Sequence, residues 1–117
     1  MIRKTFSLKM YGCKVTIIID ADIEKHYTKL CKKFKLKYEE GSMEGAVVSG
    51  DMDLYYFLLS ANHLSHNVIA HELYHLVFHI IKDRGILDEE ASAWIAGHLS
   101  EQVYNLIETK KLYPFNV

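Results

Sequence analysis

The stretch Val68 to Ile81, VIAHELYHLVFHII, constrains this chain more than any other. Ten of its fourteen residues are apolar or aromatic, so as a helix it is expected to be buried nearly all round. The exceptions are His71, Glu72, His75 and His79. At about 100° per residue they fall near 0°, 100°, 40° and 80°, one polar stripe on an apolar rod. Each polar group buried without a partner costs roughly 2–7 kcal/mol, so something is expected to meet the stripe. His71-Glu72-Leu73-Tyr74-His75 is the HExxH spacing, which sets two imidazoles one helical turn apart with a carboxylate beside them. The pattern predicts a bound Zn²⁺.

A catalytic zinc usually takes three protein donors and leaves a fourth position for water. His79 shares the stripe but lies roughly 9 Å along the axis from the midpoint of His71 and His75, beyond easy reach on a regular helix. A third His spaced as HExxHxxGxxH is also absent, because Ile81 stands at that place. The third donor is therefore expected on the next helix, where Asp88-Glu89-Glu90 follows a turn at Gly85. Glu90 shares a face with the small residues Ala93 and Gly97, which favours it over Glu89. Complementing the positive end of a helix would by itself explain an acidic run there.

The rest of the chain reads as a small α+β domain over residues 1–117. Residues 5–10 and 13–19 read as strands joined at Tyr11-Gly12, an N-terminal β-hairpin. Asp20 or Asp22 caps a helix over about 22–36, whose apolar face is Ile23, Tyr27, Leu30, Cys31 and Phe34. Residues 39–45 read as a loop, Ala46 to Ser49 and Leu54 to Leu59 as short strands. Ser65 caps the central helix, which runs to about Lys82, and a final helix runs from Asp88 to about Lys110. The strands are expected to form a small sheet packed on three helices.

Charge and composition exclude several classes. The formal net charge is −1, so no global field favours nucleic acid or an anionic membrane. The lysines of the first helix read as a solvated face, without the interleaved aromatics of base stacking. No apolar run approaches the length of a membrane span. The N-terminus lacks the apolar core of a signal peptide. Cys13 and Cys31 are too few for a disulfide framework, and the expectation is a cytoplasmic protein.

On these residues the chain resembles the gluzincin metallopeptidases, in which HExxH is followed by a glutamate on a second helix. The likeness is carried by His71 to His75 and by Glu90-Ala91-Ser92-Ala93-Trp94, and covers about 27 residues. The order of elements is similar to that of small phage and bacterial metallopeptidase domains. The resemblance implies a minimal zincin-like fold, with His71, His75 and Glu90 holding one Zn²⁺ and Glu72 as the catalytic carboxylate. Glu89 is the alternative third ligand. Such an ion lowers the pKa of its water and polarises a peptide carbonyl, while Glu72 carries the proton to the leaving amine. His79, His98, Tyr74 and Tyr104 are candidates to stabilise the oxyanion or to support the site. Leu54 to Leu59 could pair with an extended peptide substrate as an edge strand, or could be a core strand. A partner protein could complete so shallow a cleft.

Three other readings follow from the same residues. One is an inactive zincin serving as a metal-stabilised binding or regulatory module. Another is a deformylase-like site in which Cys13 or Cys31 replaces the carboxylate ligand. The last is a metal-free helical interaction domain.

Overall fold

A computed structural model describes residues 1–38, 43–51 and 53–115. The elements are β1 (Ile2–Leu8), β2 (Cys13–Asp20), α1 (Glu24–Lys33), β3 (Gly45–Asp51), β4 (Leu54–Ser60), α2 (His66–Asp83) and α3 (Glu89–Thr109). The expected strands and helices are present, with two changes of extent at the N-terminal hairpin. β1 begins at Ile2, and residues 9–11 form a 3₁₀ turn that ends on Gly12 in the left-handed region. β3 starts at Gly45, which the sequence had read as loop. Residues 39–42 of that loop lie outside the described residues.

The four strands form one mixed sheet in the order β1-β2-β4-β3. β1 pairs antiparallel with β2, from Ile2 opposite Ile19 to Leu8 opposite Cys13. β4 runs parallel to β2 and antiparallel to β3, so it is interior. Of the two readings of Leu54 to Leu59, the core strand holds and the edge strand does not. Tyr55 to Leu59 are all buried, and a strand covered on both faces needs no polar alternation. β1 and β3 are the edges.

Helices cover both faces of the sheet. Ile18, Val48, Tyr56 and Leu58 meet Ile23 and Leu30 of the α1 region. Val15, Ile17, Tyr55 and Phe57 meet Ile69, Leu76 and Ile80 of α2 together with Ile95, Leu99 and Val103 of α3. Cys13 and Cys31 are both free and buried, Cys13 in the cluster beneath α2 and α3 and Cys31 on α1. No helix among the described residues is long and apolar enough to cross a membrane.

The ends of α2 are set by local chemistry. Val68 N–H donates to the Ser65 side chain at 3.0 Å, the cap expected from the sequence. At the other end Gly85 takes φ +64. Gly85 N–H reaches Lys82 O and Ile86 N–H reaches Ile81 O, the paired bonds of a Schellman motif. The Arg84 side chain then ties this end to the hairpin, donating from Nε to Tyr11 O at 2.7 Å and from Nη1 to Tyr55 Oη at 3.0 Å. Tyr55 in turn donates to Asp83, and burial together with that bond raises its pKa. At the start of α1, Asp22 Oδ1 accepts from Lys25 N–H at 3.4 Å, whereas Asp20 is engaged by His26 at 2.8 Å and does not cap the helix.

Two glycines give opposite expectations. Gly85 needs its left-handed φ, whereas Gly97 lies inside α3 and a Cβ there would meet nothing within 4 Å. Gly85→Ala should therefore lose about 1 kcal/mol, and Gly97→Ala should gain about 1 kcal/mol. Urea midpoints at unchanged slope check both.

Candidate metal centre

α2 lies across β4 and β3 with Ile69, Leu76 and Ile80 against the sheet. Its opposite side is not covered. His71, Tyr74, His75 and Phe78 are exposed, Tyr74 by 70%, so the expectation of a helix buried all round does not hold. Of the polar stripe only Glu72 is buried, at 8% exposure, and His79 is half-buried. The stripe therefore needs no partner merely to avoid a burial penalty. What remains is geometric.

The Nε2 atoms of His71 and His75 converge to 3.2 Å. Two Zn–N bonds of about 2.0–2.1 Å at a tetrahedral angle would set their nitrogens about 3.3 Å apart. At this separation either one ring donates to the other, or both give lone pairs to a shared cation. The pair thus fits two corners of a zinc site. Glu72 Oε2 lies 3.8 Å from His71 Nε2. Burial raises the Glu72 pKa, and the neighbouring His71 and His75 only partly oppose it.

Glu72 is held there by an unusually close approach. Its side chain lies across the Cα of Gly45, where a Cβ would fall 2.6 Å from Glu72 Cγ. Gly45 is therefore a site residue that the sequence reading missed. A glycine opening a strand is a signal that something approaches the backbone closely. Met43, Glu44, Gly45, Asn67 and Val68 enclose a cavity of about 280 Å³ with His71 and Glu72, on the β3 flank of α2.

The acidic residues of α3 are not brought to this pair. His66 Nδ1 is bonded to Tyr104 Oη at 2.9 Å, which fixes the flank of α2 that meets α3. His71 lies about 140° and His75 about 180° around the helix from His66, so both point away from α3. Along the axis, Glu90 is about 21 Å from Tyr104, whereas the pair is only about 7.5–13.5 Å from His66. Glu90 and Glu89 are exposed near the other end of α2. Among the described residues no three His, Cys, Asp or Glu side chains are grouped to hold one ion. That includes the buried Cys13 and Cys31 of the deformylase-like reading.

The four supporting candidates separate in the same way. Tyr74 adjoins the pair, its ring 6.4 Å from that of His75. His79 meets Phe78 edge-on, and burial lowers its pKa. Tyr104 is committed to His66, and His98 packs on Phe6 at the opposite flank of α3. Comparison with protein-family models, with curated proteins and with solved structures finds no match for this chain.

Two outcomes follow from the Glu72 environment. Its folded pKa exceeds the ordinary 4.5, so its stabilising share is complete below that value and is lost as pH rises through the folded pKa. Metal-free Glu72→Gln should thus melt higher than the parent at pH 8, with the difference gone at pH 4. Gly45→Ala should lose about 1–3 kcal/mol through overpacking, read from the urea midpoint.

Proposed function

We propose that this chain is a zinc-dependent hydrolase of peptide bonds, with a minimal zincin-like fold, in which His71 and His75 hold the ion. The observation that carries the reading is the 3.2 Å convergence of two imidazoles beside a buried carboxylate whose pKa is raised. A bound Zn²⁺ supplies Lewis-acid polarisation of a carbonyl and lowers the pKa of a nearby water from about 15.7 towards 7.

The chain's own residues account for proton handling and substrate placement. Glu72, held against Gly45 and shielded from bulk water, accepts a proton at its carboxylate and returns it to the leaving nitrogen. Its raised pKa brings it nearer to the working pH, as a group that must both take and give a proton requires. β3 is the edge strand that borders the cavity, so an extended peptide can add to it and pass Glu72. The β-addition considered for Leu54 to Leu59 thus moves to the preceding strand. Tyr74, exposed beside His75, is the candidate hydroxyl for a developing oxyanion.

A second reading is favoured by the donor count. α3 offers no third ligand to the pair, and a site with two protein donors suits a metal-stabilised binding module without turnover. One set of variants separates the two. Calorimetry with Zn²⁺ should show one ion bound by the parent, by Glu72→Gln, and by Glu90→Ala and Glu89→Ala. His71→Ala and His75→Ala should lose it. Hydrolysis of a quenched peptide library should fall by about 10²–10⁴ in Glu72→Gln. Zinc retained by both histidine variants would end the metal reading, and zinc binding without any hydrolysis in the parent would select the binding module.

A further inference from the structure

A second concavity, of about 980 Å³, runs between the hairpin turn and the outer face of the first half of α3. No residue of α2 lines it, so it is separate from the histidine pair. Leu8 and Ile95 form its buried floor. Met10 on one wall and Trp94 on the other are 87% and 72% exposed, large apolar side chains that face open space. Between them Ala93 and Gly97 leave the α3 backbone open to close approach. Gly97 makes the point most directly: glycine is among the poorest helix formers, and among the described residues nothing occupies the space its missing Cβ would take.

The rim is mainly acidic. Asp88, Glu90 and Glu101 border the groove against a single cation, Lys9. Asp88 caps Glu90 N–H, but Glu90 and Glu101 have no ion-pair partner among the described residues. From Asp88 to Glu101 the wall is about 20 Å long, the length of a helix of about thirteen residues. Two basic or aromatic segments of the chain itself do not suit it. The lysine-bearing α1 has its apolar side packed on the sheet, and Tyr113 and Phe115 are engaged around His66.

We propose that this groove docks a cationic amphipathic helix of another protein. Its apolar side seats between Met10 and Trp94, its backbone approaches α3 over Ala93 and Gly97, and its Lys or Arg residues meet Glu90 and Glu101. Small residues permit the close approach, and the acidic rim selects the partner by charge. The inference does not depend on the metal reading.

Trp94 is the chain's one tryptophan, so its emission reports on the groove directly. The probe is a synthetic fourteen-residue amphipathic helix of leucine and lysine, with a companion carrying glutamate in place of lysine. Titration with the lysine peptide should shift Trp94 emission to the blue and saturate. Affinity should fall at least tenfold in high salt, and at least tenfold in Glu90→Lys/Glu101→Lys. Gly97→Leu should abolish the shift while the far-ultraviolet spectrum is retained and the melting temperature does not fall. Equal response to both peptides, or no response to either, overturns the proposal. So does a blue shift produced by raising protein concentration alone with sedimentation showing dimers, since a second copy would then cover the groove.

Discussion

The contact between Glu72 and Gly45 fixes how α2 sits on the sheet, and most of what the molecule offers at its surface follows from that seat. A helix can be rotated about its axis with little change in backbone energy, so its facing is decided by what it buries. Ile69, Leu76 and Ile80 go to the sheet, and the missing Cβ at Gly45 admits the Glu72 side chain beside them. With those four positions set, His71 and His75 can only emerge on the β3 flank.

That orientation divides the polar stripe by environment. Glu72 is withdrawn from water and disfavours its charged form, while His71 and His75 stand exposed with their Nε2 atoms together. A buried carboxyl next to two converging imidazoles is the arrangement on which the proposed metal-assisted hydrolysis rests. The same orientation turns the pair away from α3. The donor expected there is separated from the histidines by the body of α2 itself.

The far end of α2 is held by a different set of forces. Gly85 lets the chain turn back within a Schellman motif, and Arg84 links Tyr11, Tyr55 and the Asp53 carboxylate, the last at 3.7 Å. This anchor fastens the helix to the hairpin turn and to the start of β4, so α2 is tied at one end by hydrogen bonds and seated along its length by apolar packing. The short connection to α3 then sends that helix back along the β1 side. Its outer face, with Trp94 and Gly97, is left uncovered there.

Period, caps and turn residues made the four strands and three α-helices legible in the sequence, because each depends on neighbours within a few positions. Ser65, Gly85 and the apolar rows of the helices are of this kind, as is the HExxH spacing that brings His71 and His75 to one side of one helix. The choice between edge and core for β4, its parallel pairing with β2 and the exposure of Tyr74 and Phe78 were not legible, because they depend on residues distant in the chain. The third-donor expectation failed for the same reason. Spacing along the sequence places Glu90 one short turn after α2, but which flank of α2 the next helix occupies is a matter of packing on the sheet. The amino-acid sequence by itself determined the elements and the histidine pair. Only the tertiary structure decided what faces that pair, since the relative rotation of two helices is set by the surface they share and not by the residues that join them.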